Sequence, residues 1–68
     1  MRYAVVIEKS ESGYGAYVPD LPGCVAVGET LKETEQLIQE AVEFHLQGLR
    51  EDGVSAPEPS ALTHYVEV

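Results

Sequence analysis

The chain has little of what most functional classes require. A single cysteine, Cys24, cannot make an internal disulfide, which excludes a disulfide scaffold and fits a reducing cytosol. The early apolar run "YAVVI" is only five residues long and is followed by Glu8 and Lys9. That is too short for the core of a signal peptide. No segment approaches the roughly 20 apolar residues of a membrane span, so a cytoplasmic protein without membrane contact is expected. Basic residues are scarce as well: Arg2, Lys9, Lys32 and Arg50 are scattered among twelve acids, for a net charge of −8. Nucleic-acid binding rests on phosphate neutralisation by Lys and Arg, so direct nucleic-acid binding is excluded. A cationic partner is the electrostatically natural one, although acidity also serves solubility.

Catalytic and ligand motifs are equally thin. Neither C-x-x-C nor H-x-x-x-H occurs, and His45 and His64 with one thiol do not make a metal ligand set. The glycines match neither G-x-G-x-x-G nor the G-x-x-x-x-G-K-[ST] phosphate loop. No metal and no cofactor are expected. Cys24 with His45 or His64 could serve as nucleophile and base, but a free cysteine opening a strand is more commonly a small buried hydrophobe. Glu8 and Glu67 both end candidate strands and could together hold Mg²⁺ for phosphoryl transfer. A nuclease built on them would need positive charge to hold its substrate, and the chain has almost none.

What is present is a small folded domain. Its 44% apolar content excludes full disorder, and its length points to one domain over residues 1–68. A domain of this size buries only ~60% of its unfolded surface, so self-association or a partner is the default expectation.

Four strands and one helix are legible. "RYAVVIEK" (residues 2–9) is rich in β-branched residues and apolar on both faces. "SESG" is a turn cluster, and "YGAYVP" follows as the antiparallel partner, ended by Pro19, which lacks a ladder amide. "DLPG" has turn chemistry, with Asp20 leading, Pro22 at a corner and Gly23 free to take positive φ. "CVAVGE" (residues 24–29) is a third strand. "TLKE" is a capping-box pattern, in which Thr30 accepts from the Glu33 amide and Glu33 reaches back to the Thr30 amide. A helix should run from Leu31 to about Glu51, its apolar stripe formed by Leu31, Thr34, Ile38, Ala41, Val42, His45 and Leu49. Gly53 is placed to cap it in the left-handed region. "LTHYVEV" (residues 62–68) reads as a final strand after a Pro-rich connector.

The order β-β-β-α-β predicts an α+β fold: a mixed four-stranded sheet with one helix on one face, the fourth strand returning parallel to the first by a right-handed crossover. One helix covers one sheet face only. The first strand is apolar on both, so the uncovered face predicts a homodimer, a higher oligomer or a protein partner.

The run Tyr14-Gly-Ala-Tyr-Val-Pro19, Asp20-Leu-Pro-Gly-Cys24, then Gly28-Glu-Thr30 with Glu33 three residues on, resembles the signature of the HicB antitoxin family. The resemblance spans about residues 1–68 and includes Pro59-Ser60. It implies a partial RNase H-like fold and a non-enzymatic role. That role is to bind a small basic HicA-type toxin, an mRNA endoribonuclease, and cover its active site. Thr34 stands where relatives usually show Ala, a change touching helix packing. Many relatives carry a C-terminal helix-turn-helix or ribbon-helix-helix domain, which this sequence does not show, so operator binding is not expected. Pro19, Pro22, Gly23, Cys24, Gly28, Thr30 and Glu33 are then architectural, while Tyr17, Asp20 and Leu21 are candidates for an exposed partner surface. Two other readings stand beside the antitoxin: an orphan HicB-like module that binds another protein, and a minimal metal-dependent nuclease using Glu8 and Glu67.

Overall fold

A computed structural model describes all 68 residues, Met1–Val68. Three short strands, β1 (Val6–Ser10), β2 (Gly13–Tyr17) and β3 (Val25–Gly28), precede one long helix, α1 (Leu31–Glu51). The strands pair antiparallel in the order β1-β2-β3. Ser10 and Gly13 close the first hairpin, and the Ser10 hydroxyl donates to the Gly13 carbonyl at 3.2 Å.

Register decides what each face carries. Ile7 lies opposite Ala16, and Ala16 opposite Ala26. The two alanines let α1 settle closely over β2 and β3. Ala16, Val18, Leu21, Cys24 and Ile38 form the core, flanked by Tyr3, Ile7, Ala26, Ala41, Val42 and Leu46. Only seven of the 68 residues are buried, a core too small to spare any of its contacts.

The link from β2 to β3 is a double turn. Leu21 N–H donates to the Val18 carbonyl at 3.1 Å, and Cys24 N–H to the Leu21 carbonyl at 3.0 Å. In the second turn Pro22 is the first central residue and Gly23, at φ +84°, the second, which is the type II pattern. The turn therefore runs from Leu21 to Cys24, one residue later than a turn opened by Asp20. Val18 N–H also donates to the Cys24 carbonyl at 3.2 Å, so the loop folds back and Leu21 is fully buried, at 0% exposure.

The helix starts at Leu31 and ends at Glu51. Thr30 caps it, its hydroxyl accepting from the Glu33 amide at 3.1 Å. The return half of the box differs from the sequence pattern: the Glu33 carboxylate accepts from the Glu29 amide at 3.1 Å, one residue before Thr30. At the other end Gly53 sits at φ +71°. Its amide donates to the Arg50 carbonyl at 3.1 Å and the Val54 amide to that of Leu49 at 2.8 Å, the paired bonds of a Schellman motif.

The expected fourth strand does not form. After the helix the chain returns to the segment leading into β1, where the Tyr3 hydroxyl donates to the Pro57 carbonyl at 2.6 Å. Residues 62–68 have no strand character and are exposed throughout. The sheet therefore has three strands, wholly antiparallel. Alternating apolar residues fix which side chains share a face but do not supply the neighbouring strand. The first strand is also shorter than residues 2–9, starting at Val6.

Candidate protein-binding interface

The sheet face turned away from α1 carries an apolar row across all three strands: Val6 pairs with Tyr17, and Tyr17 with Val25. Beside it Glu8 pairs with Gly15, and Gly15 with Val27. The strand period of two places these residues on one side. Val27 is 78% exposed, and Tyr17 and Val25 are also open to solvent. At the outer edge of β3, Val25 turns the corner into a groove of about 460 Å³ between β3 and α1, whose rim includes Phe44 at 81% exposure. Several exposed large apolar side chains in contiguous positions are the mark of a protein-binding surface.

Of the three residues expected to be exposed and partner-facing, only Tyr17 is exposed. Leu21 is core. Asp20 is an internal clamp: its carboxylate accepts from the Ser60 amide at 3.1 Å, the Ser60 hydroxyl at 2.9 Å and the Ala61 amide at 3.0 Å. The Ala61 and Ser60 amides, then the Ser60 hydroxyl, stabilise the ionised form and hold the carboxyl below its ordinary value. Asp20 thus fastens the returning chain to the double turn, forty residues away in sequence.

The architectural residues sit where close approach is needed. A Cβ added to Gly28 would lie 2.6 Å from Thr34 Oγ1 and 3.0 Å from the Thr34 amide nitrogen. Thr34, fully buried, donates its hydroxyl to the Thr30 carbonyl at 2.8 Å, so this approach fixes the angle at which the helix leaves β3.

The geometry supports neither catalytic pairing. Cys24 is buried, and desolvation pushes its thiol above the ordinary value, opposite to the activation a nucleophile needs. Cys24 and His45 line the same β3-side groove, and the buried thiol fills core. Glu8 lies on β1 while Glu67 lies in the unpaired tail, so no adjacent strands bring the two carboxylates together.

The profile of the HicB-like antitoxin of bacterial toxin–antitoxin systems matches residues 3–68. The chain belongs to the HicB-like antitoxin family. Membership of an antitoxin family agrees with a non-enzymatic, regulatory protein. It is similar to an uncharacterised 14.9 kDa protein of Haemophilus phage HP1, with 39% identity over 66 residues covering 97% of this chain and 50% of the relative. A UPF0150 protein of Thermoplasma acidophilum is 39% identical over 62 residues, 90% of each chain. One from Helicobacter pylori is 49% identical over 47 residues, 69% of this chain and 65% of that one. The chain thus spans about half of the phage relative and just under two thirds of the Helicobacter one. Among solved structures it is similar to a chain of a HicA3 and HicB3 toxin–antitoxin complex, with TM-score 0.73, 30% identity and coverage of 87% of this chain and 70% of that one.

Sequence reasoning passed over Val25, Val27 and Phe44. Their signal was available: apolar residues two apart in a strand with only one face to bury, and a phenylalanine off the helix's apolar stripe. No helix is long and apolar enough to cross a membrane.

Proposed function

We propose that this HicB-like domain binds a small basic HicA-type toxin, an mRNA endoribonuclease, and silences it stoichiometrically by covering its active site. The reading is carried by the apolar row Val6–Tyr17–Val25 on the open sheet face, set in a chain of net charge −8. Family membership and the likeness to a HicA3–HicB3 complex support it. Charge of one sign steers a basic partner into encounter, while desolvated apolar contact sets how long the complex lasts.

The experiment is stopped-flow and equilibrium binding to a cognate HicA-type protein. Val25→Asp and Val27→Asp should each weaken binding by roughly tenfold or more, mainly through a faster off-rate, with the helical circular-dichroism signal unchanged. Association of the wild-type chain should slow as salt rises, because screening shortens to about 8 Å at physiological ionic strength. Unchanged affinity in both variants, or an on-rate indifferent to salt, would overturn the proposed interface.

A further inference from the structure

We propose that the groove between β1 and α1 takes an extended segment of a basic protein, which pairs with the free edge of β1 as an added strand and sets two cationic side chains on Glu35 and Glu43. Tyr3, Val5 and Ile7 form one wall of an open groove of about 660 Å³, and Val42 and Leu46 of α1 form the other. The helix lies over β2 and β3, which leaves this side of the sheet bare. β1 is the outermost strand there and has no neighbour beyond it. A ladder alternates in the direction of its bonds, so every second N–H and C=O of β1 points outward. An unpaired edge next to uncovered apolar side chains is a template for another strand, and the addition of a peptide strand is a recurring mode of recognition.

The rim decides which strand fits. Glu35 and Glu43 line the groove with Gln39 between them, and no lysine or arginine does. Gln39 donates to the Glu43 carboxylate at 3.4 Å, so the rim carries negative charge with no cation of its own. Glu35 and Glu43 are eight residues apart, about 12 Å along a helix axis. In an extended strand, residues four apart share a face and stand roughly 13 Å apart. The matching segment therefore reads basic-x-apolar-x-basic. Its central side chain faces the apolar walls, and its lysine or arginine stems lie along them while the charged ends reach the rim.

Neither this chain's own tail nor a second copy offers such a segment. Residues 62–68 contain no lysine or arginine and carry Glu67, so they would bring a carboxylate to a rim that already holds two. Elsewhere the basic residues are Arg2, Lys9, Lys32 and Arg50, and no two of them stand four apart. A body of net charge −8 attracts a cationic protein and repels its own kind. The outer edge of β3 is also free, but the groove beside it has a single acidic residue, Asp52, and no such pair. The occupant is therefore a different, basic protein. The proposal stands on the β1 groove alone, apart from the toxin assigned to the open sheet face.

A short labelled peptide with Lys-Thr-Val-Thr-Lys at its centre and threonines on either side tests it. Fluorescence anisotropy on the full chain reads affinity, and amide chemical shifts map where the peptide lies. The wild-type chain should bind it, with shifts concentrated at Tyr3–Ile7 and slowed amide exchange along β1. Glu35→Gln and Glu43→Gln, both at exposed positions and neutral in helix propensity, should each weaken binding about threefold, the scale of one exposed ion pair. Circular dichroism should be unchanged in both. Moving the second lysine by one residue, to Lys-Thr-Val-Lys-Thr, throws it onto the opposite face and should lose a similar factor at the same net charge. Val25→Asp, away from this groove, should leave the peptide bound. No binding to the wild-type chain, equal affinity for the two lysine spacings, indifference to both glutamine variants, or shifts at Val25 and Val27 in place of Tyr3–Ile7 would each overturn the proposal.

Discussion

Replacing Gly28 by alanine tests the closest approach in the fold. Gly28 is the last residue of β3 and is buried against the first turn of α1. Its φ is not positive, so backbone strain is not at issue and the entire effect is steric. The new methyl would sit 2.6 Å from Thr34 Oγ1, 3.0 Å from the Thr34 nitrogen and 3.1 Å from Glu33 Oε1. The Glu33 carboxylate is the end of a flexible side chain and can withdraw, but doing so abandons the Glu29 amide. Thr34 cannot withdraw without breaking its bond to the Thr30 carbonyl or moving the helix. Overpacking of this kind costs about 2 kcal/mol. Thr34→Ala alone loses one hydrogen bond and a buried methyl, also about 2 kcal/mol together. In the double variant the Oγ1 that the new methyl strikes is gone, so the combined cost should fall short of the sum by about 1 kcal/mol. Urea denaturation followed at the helical circular-dichroism band, at one fixed protein concentration so that any assembly is held constant, reads all four corners of the cycle. Gly28→Ala alone should lower the melting temperature by roughly 8 to 16 °C in a domain this small. Strict additivity, or a wild-type midpoint for Gly28→Ala, would refute the claim that the β3–α1 junction is set by this contact.

Two further outcomes follow from the helix start and the Asp20 clamp. Thr30→Ala removes the hydroxyl that accepts the Glu33 amide and should cost about 1 kcal/mol, read as a lower urea midpoint; no shift would mean that Thr30 does not cap. The Asp20 carboxyl titrates below its ordinary value of 3.8 in the folded chain, so its stabilisation is fully present above that pH and is lost as pH falls through the lowered folded value. Amide shifts of Ser60 and Ala61 should therefore titrate together with Asp20 in acid, and Asp20→Asn should disturb those two amides at neutral pH; independence of the three signals would refute the clamp.

What could be read from the sequence was what local chemistry dictates. The helix bounds follow from Thr30 at one end and Gly53 at the other, because capping demands particular residues within one turn of the terminus. The three antiparallel strands follow from short runs rich in β-branched residues (β1, β3) or tyrosine (β2), separated by turn residues. The single covered face follows from counting one helix against a strand apolar on both sides. Asp20 was misread because a residue before Leu-Pro-Gly serves equally well as the opening of a turn or as an acceptor. Its partners, Ser60 and Ala61, lie forty and forty-one residues on, beyond any spacing rule. Leu21 was placed on the surface because a loop between prolines is usually exposed. It is buried because two successive turns, closed by the Val18–Cys24 bond, roll the loop over the core.

The tail marks the boundary of that legibility most sharply. Its period-two pattern gives residues 62–68 one apolar face, but that pattern does not supply a neighbouring strand, and none forms. The chain spends its last fixed contacts on Asp20 and Tyr3 and leaves both residues 62–68 and the outer edge of β1 unpaired. A domain with only seven buried residues has little stability with which to carry two such exposures. On the function proposed above, the open sheet face is the surface a toxin would cover, and Val25→Asp and Val27→Asp should release the toxin without lowering the urea midpoint of the free chain; a loss of both together would refute that assignment.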